Sequence, residues 1–326
     1  MFMKNLRIVF MGTPEFAVAT LGSLLINQFN IVSVVTAPDK PSGRGRKITK
    51  SAVKKFAESS KLPVLQPISL KDPEFISQLK GLSADIFIVV AFRMLPAEVW
   101  KMPPLGTINL HASLLPNYRG AAPINHAIIN GETKTGVTTF LIDEKIDTGN
   151  ILLREEIPIF PFENAGDLHE KLMKLGARLV IKTVEEISKN RLKPLSQTAM
   201  IDQTNSPKPA PKIHPEDCII DWNSDVTRIH NLVRGLSPYP CAKSWFKNDT
   251  STLSFKIFTS HPEIEQHSYS PGTIFTDGKN YIKISCKDGF LKIISLQIEG
   301  KNRINTTEFL NGFDVSKFTI PINQQA

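Results

Sequence analysis

The first 190 residues switch repeatedly between short, continuous apolar runs and longer stretches in which apolar residues recur three and four positions apart. Residues 7–11, 31–36 and 86–91 are runs of the first kind, and Val64 and Leu65 form a shorter one. Residues 86–91 (Ile-Phe-Ile-Val-Val-Ala) carry no polar position at all, as a strand covered on both faces requires. Helical spacing marks residues 16–25, 47–59, 73–79 and 123–130, and residues 168–189 read as one long amphipathic helix. A further strand carries Asn109 and His111, and residues 137–142 and 151–157 form an antiparallel pair around Asp147. Such alternation predicts an α/β unit, a mostly parallel sheet with crossover helices on both faces.

The pattern then changes. Residues 190–215 hold Pro194, Pro207, Pro209, Pro211 and Pro215 among polar residues, the composition of a linker. A short helix over residues 226–234 follows, then strand-like runs at 242–246, 253–258, 272–275, 281–285 and 290–298. Asp277-Gly278 and Asp288-Gly289 supply turn signals between them, and this spacing predicts a small all-β barrel. The expected organisation is therefore an α/β domain over residues 1–190, a linker over 191–211 and a β domain over 212–326.

Charge sharpens this division. The chain carries a net charge of +8, yet from Pro209 onward 13 Lys and Arg face 12 Asp and Glu, so nearly all the excess lies upstream. There Lys40, Arg44, Arg46, Lys47, Lys50, Lys54 and Lys55 follow one another with no acid from Pro41 to Ala57. A cluster of this kind attracts polyanions, and Gly43 and Gly45 make the backbone around Arg44 pliant. Cys218, Cys241 and Cys286 are widely spaced and outside any metal-ligand pattern, so they read as reduced packing residues of a cytoplasmic protein. His126, His169, His214, His230, His261 and His267 show no ligand spacing either, and no metal is expected. The short apolar start leads straight into Gly12-Thr13-Pro14 and reads as a first strand; no apolar stretch reaches membrane-spanning length. That turn lacks the Gly-x-Gly-x-x-Gly spacing of a dinucleotide site.

The chemistry concentrates in Asn109-Leu110-His111-Ala112-Ser113-Leu114-Leu115-Pro116. Side chains two apart on a strand share a face, so Asn109 and His111 converge on one volume just before a Pro- and Gly-rich loop. An amide donor and a titratable ring aimed at one point suit a carbonyl oxygen that becomes an oxyanion. Asp147, in Asp147-Thr148-Gly149, can orient or charge the imidazole. The Asn-x-His-x-Ser-Leu-Leu-Pro run with its later Asp-Thr-Gly resembles the formyltransferases that use 10-formyltetrahydrofolate. Further stretches match the branch that acts on aminoacylated tRNA: Arg7 to Phe16, Pro38-Asp39-Lys40-Pro41-Ser42-Gly43-Arg44-Gly45, and Ile220-Asp221-Trp222.

The resemblance implies a Rossmann-like catalytic domain followed by an oligonucleotide-binding-like β-barrel that holds tRNA. It implies transfer of a formyl group from N10 of 10-formyltetrahydrofolate to the α-amine of methionyl-initiator-tRNA by a cytoplasmic monomer. Asn109, His111 and Asp147 become the catalytic trio, with the Asn109 amide and the His111 ring donating to the oxyanion. Ser113, Leu114, Leu115 and Pro116, with Phe92, Arg93, Met94 and Leu95, become the folate site. Gly43, Arg44, Gly45, Arg46, Lys47 and Lys212 become tRNA contacts. One departure stands out: relatives commonly place a Tyr-Gly pair and an extra residue where this chain has Phe92-Arg93-Met94-Leu95-Pro96. Arg93 then either borders the folate or points into solvent. Two other readings stay open, a formyltransferase for a sugar-nucleotide or glycinamide ribonucleotide amine and a tRNA-binding module without catalysis.

Overall fold

A computed structural model describes residues 6–42, 47–201 and 206–322, with the side chains of Ser42 and Lys47 not described. In chain order its first half comprises β1 (Arg7–Gly12), α1 (Glu15–Ile26), β2 (Asn30–Val35), β3 (Lys40–Ser42), β4 (Lys47–Thr49), α2 (Ala52–Ser59), β5 (Val64–Leu65), α3 (Pro73–Gly81), β6 (Ile86–Val90), α4 (Ala97–Trp100) and β7 (Thr107–His111). There follow β8 (Arg119–Gly120), α5 (Pro123–Ile129), β9 (Lys134–Leu141), β10 (Ile151–Pro158), α6 (Ala165–Ser188) and β11 (Pro209–Ala210). The remainder holds α7 (Val226–Leu236), β12 (Ala242–Lys247), β13 (Thr252–Ile264), β14 (Ile274–Thr276), β15 (Ile282–Ser285), β16 (Gly289–Ile298), β17 (Ile304–Asn305) and α8 (Thr306–Gly312).

The chain divides into two compact units, one of Met1–Pro123, Thr135–Ile157 and His169–Ala210, the other of Ile124–Lys134, Pro158–Leu168 and Pro211–Ala326. The first is built on a seven-stranded sheet in the order β10-β9-β7-β6-β1-β2-β5. β5, β2, β1, β6 and β7 run parallel, and β9 turns antiparallel to β7. The chain winds outward from β1 in one direction through β2 and β5, then resumes on its other side with β6 and β7. In sheets of this kind such a reversal, here between β1 and β6, marks the edge where ligands bind at the strands' carboxyl ends. Every residue of β6 is buried, as its unbroken apolar run demands. Val9, Met11, Phe87 and Val89 pack with Phe75 and Leu79 of α3 and Val99 of α4 on one face. Leu110 looks to the other, where Gly176 lets α6 approach: a Cβ there would lie 2.7 Å from Leu110 Cδ2.

Residues 47–59 are not one helix. Residues 47–49 pair antiparallel with β3, and α2 begins only at Ala52, because the Ser51 hydroxyl accepts the Lys54 N–H and caps it. The basic run also loses part of its free charge in space. Lys54 pairs with Asp39 at 2.6 Å and Lys50 with Glu58 at 2.7 Å. The Lys54 ammonium and the Gln66 amide hold the Asp39 carboxyl below the usual carboxylate range.

The composition of residues 191–211 predicts a tether between two domains, but much of this stretch packs within the first unit. Leu195 exchanges both backbone hydrogen bonds with Ile151 at 2.8 Å, Met200 packs on Leu115, Phe140 and Ile151, and β11 pairs parallel with β8.

In the second unit an antiparallel sheet in the order β12-β13-β16-β15-β14, with β17 beside β16, curls into a half-barrel. α7 packs against it through Val226, Ile229, Val233 and Leu236. Trp222 is buried and donates its indole N–H to Ser244 Oγ at 3.0 Å, and Phe246 stacks on Phe255 at 4.0 Å. Asn305 and Glu308 cap α8 reciprocally, an element that the apolar spacing alone does not predict. All three cysteines are buried and unpaired, and burial raises the thiols of Cys241 and Cys286 to about 11 and about 12. Among the described residues no helix is long and apolar enough to cross a membrane.

Candidate active site

Asn109 and His111 share one face of β7, in register with Phe140 and Thr138 of β9. The Asn109 side chain is half-buried and hydrogen-bonds to no described residue. His111 is 7% exposed, and both ring nitrogens face protein groups. Nε2 lies 2.7 Å from the Tyr118 carbonyl oxygen, which can only accept, so Nε2 carries the proton. Nδ1 lies 3.7 Å from Asp147 Oδ2, close enough for an ion pair and beyond a hydrogen bond. This differs from the sequence expectation in one respect. The ring proton assigned to the oxyanion is held by Tyr118, and the nitrogen left for proton exchange is the one beside the carboxylate.

Asp147 sits in the turn between β9 and β10 with φ +54°, the left-handed region, and its side chain is 12% exposed. Its Oδ2 accepts the Gly120 N–H at 3.0 Å. Asp143 organises the start of the same turn, accepting from the Lys145 N–H and the Thr148 hydroxyl. Gly149 is required by close approach, since a Cβ there would overlap the Leu141 carbonyl oxygen.

Sequence reasoning missed Gln197, which lies in the stretch read as linker and is 1% exposed. Its Nε2 donates to the carbonyls of Asp147 at 3.0 Å and Gly149 at 2.8 Å, while its Oε1 accepts from Arg119 Nη2 at 2.6 Å and Nε at 3.1 Å. It also missed Thr138, whose hydroxyl donates to the Ser113 carbonyl and accepts the Leu115 N–H. The register of β9 opposite β7 was the signal for Thr138. For Gln197 there was none.

The two segments expected around the folate follow the carboxyl ends of the adjacent strands β6 and β7. Ser113 is fully buried and donates to the Asn117 carbonyl, Leu115 is fully buried, and Leu114 and Pro116 are partly exposed. In the segment after β6, Leu95 belongs to the core of α3 and α4, Phe92 packs beside it and Met94 is exposed. Arg93 does not point freely into solvent, the second of its two expected roles. Its guanidinium donates to the carbonyls of Pro67 and Ile68, and partial burial lowers its pKa. Gly43, Arg44, Gly45 and Arg46 lie outside the described residues; Lys47 opens β4, and Lys212 is exposed in the second unit. Among the described residues no group of three or more His, Cys, Asp or Glu is placed to hold a metal.

Residues 6–184 match the family described as Formyl transferase, and residues 212–314 match the Formyl transferase C-terminal domain. The methionyl-tRNA formyltransferase of Flavobacterium johnsoniae is 53% identical over 314 residues, covering 96% of this chain and 98% of that protein. The enzyme of the same name from Bacteroides fragilis is 51% identical over 315 residues, covering 96% and 97%. Among solved structures, the N-formyltransferase from Helicobacter canadensis in complex with folinic acid and dTDP-3-aminofucose has a TM-score of 0.64 at 25% identity, over 88% of this chain and 98% of that one. HypX from Aquifex aeolicus in complex with tetrahydrofolic acid shares the fold, with a TM-score of 0.61 at 19% identity over 96% of this chain and 50% of that one. The unpartnered Asn109 amide beside the His–Asp pair, and near-full-length identity of about half to such enzymes, lead to one assignment. This chain belongs to the formyltransferase family.

Proposed function

We propose that the protein transfers the formyl group of 10-formyltetrahydrofolate to the α-amine of methionyl-initiator-tRNA, giving formylmethionyl-tRNA for translation initiation. The observation that carries this reading is the half-buried, unpaired Asn109 amide beside the His111–Asp147 pair, in a chain about half identical, end to end, to methionyl-tRNA formyltransferases.

In the reaction the amine lone pair attacks the formyl carbon, and the carbonyl pair moves onto oxygen. The Asn109 Nδ2 protons, free of protein partners, stabilise that oxyanion. The new ammonium centre gives up a proton to the His111–Asp147 pair. With Nε2–H fixed on Tyr118, this proton rests at Nδ1 against the carboxylate. The oxyanion then collapses, the carbon–N10 bond breaks, and N10 leaves with the bonding pair and takes up the proton held at Nδ1, which returns the His111–Asp147 pair to its starting state. The folate lies between residues 92–95 and 113–116, at the strand ends where ligands of such sheets bind.

Residues 1–190 are the catalytic domain in this reading, 191–211 the connection and 212–326 the tRNA-binding domain. Gly43, Arg44, Gly45, Arg46, Lys47 and Lys212 contact the nucleic acid. The enzyme works as a cytoplasmic monomer. The test incubates the protein with 10-formyltetrahydrofolate and charged initiator tRNA, with elongator methionyl-tRNA, free methionine and a dTDP-amino sugar as alternative acceptors. Formylation of the initiator species far above the others supports the reading. Preference for the amino sugar, or no transfer to any tRNA, refutes it.

A further inference from the structure

We propose that Gln197 is a positioning residue of the active site, one side chain that sets Asp147 and the segment holding His111 against each other. The inference deepens the proposed formyl transfer and rests on it. Gln197 lies between the two matched family regions, which end at 184 and resume at 212. Its segment is nevertheless anchored on both sides: Leu195 bridges to Ile151, and Met200 covers Leu115 and Phe140.

The geometry is specific to glutamine. Its two amide protons go to two carbonyls of a single turn, those of Asp147 and Gly149, and its oxygen takes two guanidinium N–H groups from Arg119. Asp147 occupies the left-handed region, which strains a residue with a Cβ and persists only where its surroundings hold it. Gln197 holds that residue's own carbonyl. On its other side it grips Arg119, whose neighbours are the other two supports of the site. The Gly120 N–H binds the Asp147 carboxylate, and the Tyr118 carbonyl binds His111 Nε2. The 3.7 Å between Nδ1 and Oδ2 is therefore a distance between two backbone segments that this amide ties together. Replacing it leaves binding surfaces in place and lets the proton-handling pair drift apart.

The test uses the full chain carrying Gln197→Ala or Gln197→Glu. Alanine removes all four hydrogen bonds. Glutamate, nearly isosteric, keeps the acceptors for Arg119 and loses both donors, so it reports on the Asp147 turn even if the alanine variant fails to fold. Both variants are expected to lower kcat roughly 10–100-fold, as a misplacement on the order of 1 Å does, with KM for folate and tRNA within about twofold of the parent. A second readout needs no activity. Amide hydrogen exchange at Gly120, which bonds to Asp147, should accelerate. Exchange at Tyr118 and Ala122, whose N–H groups bond to Lys208 and Ala210, should stay at parental rates. Unchanged Gly120 exchange, equal acceleration at all three amides, or selective exchange with parental kcat would each overturn the proposal. A parent protein that transfers no formyl group refutes the proposed function instead, and the exchange pattern still decides whether Gln197 holds the turn.

Discussion

Asp147→Asn isolates the charge of the His–Asp pair. Asparagine retains an oxygen to accept the Gly120 N–H, so the turn, the Gln197 contacts and the position of His111 are preserved. What disappears is the attraction between the carboxylate and the imidazolium that forms when the amine proton arrives. At 3.7 Å, with side chains 8% and 12% exposed, this attraction is worth about 4 kcal/mol at an effective dielectric constant of about 20. Each 1.4 kcal/mol is tenfold in rate, so kcat should fall about 10³-fold. Neither substrate is bound by the pair in the ground state, so both KM values should stay within about twofold of the parent. Initial rates of initiator-tRNA formylation at saturating folate, with thermal unfolding to establish that the variant is folded, measure this. The double variant with His111→Ala should be no slower than His111→Ala alone, because the carboxylate acts through the ring. A kcat above a tenth of the parental value, or additive losses in the double variant, would show that the pair does not handle the proton.

Three further outcomes follow from other parts of the molecule. Gly149→Ala should destabilise the first unit by about 1–3 kcal/mol, because its Cβ would overlap the Leu141 carbonyl oxygen, and should lower kcat by displacing Asp147; urea denaturation and initial rates check both. Burial pushes the His230 ring down to about 4 from the ordinary 6.5, with the Arg234 charge adding to the effect. A neutral buried ring contributes its full stability above about pH 6.5 and loses it as pH falls toward 4, so parent and His230→Gln should differ in stability by about 3 kcal/mol more at pH 7 than at pH 4. A parallel pH dependence in the two proteins would exclude that group. In the tRNA-binding reading, Lys47→Ala should reduce the salt slope of tRNA binding by about 0.7–0.9 and Arg44→Ala should also slow turnover at limiting tRNA; parental values for both would leave recognition to the second unit.

Much of this architecture was legible because it rests on side-chain periodicity. The unbroken apolar run of β6 states its own burial, and the alternation in β7 sets Asn109 and His111 on one face opposite Ile108 and Leu110, so the sheet and that shared face follow from the order of residues. The Asp147-Thr148-Gly149 turn was legible for a related reason, since a glycine whose Cβ would strike a carbonyl leaves a mark in the sequence. Charge was less readable. Lys50 and Lys54 stand in a run free of acids, yet Glu58 and Asp39 reach them from just outside it, so linear counting overstated the free cations. The hairpin of β3 and β4 was also hidden, because three residues per strand are too few to show a period.

The remainder was illegible because the site depends on main-chain groups, which every residue possesses. The Tyr118 carbonyl fixes which nitrogen of His111 holds the proton, and the Gly120 N–H holds the carboxylate beside the other. Neither contact uses its own residue's side chain, so no side-chain chemistry announces it, although Gly120, with φ +122°, stands where the backbone favours glycine. Gln197, proposed above to tie the two together, lies in a proline-rich, polar stretch whose composition says only that it forms no regular element. Composition reports the average environment of a segment, whereas burial of one amide depends on where the segment is pinned. Here the pins are the Leu195–Ile151 bridge and the pairing of β11 with β8, both backbone contacts again. Under this proposal the proton chemistry of the site depends on a stretch that resembles a connector in sequence, and substitutions there are to be judged by their distance from Asp147 in space, not along the chain.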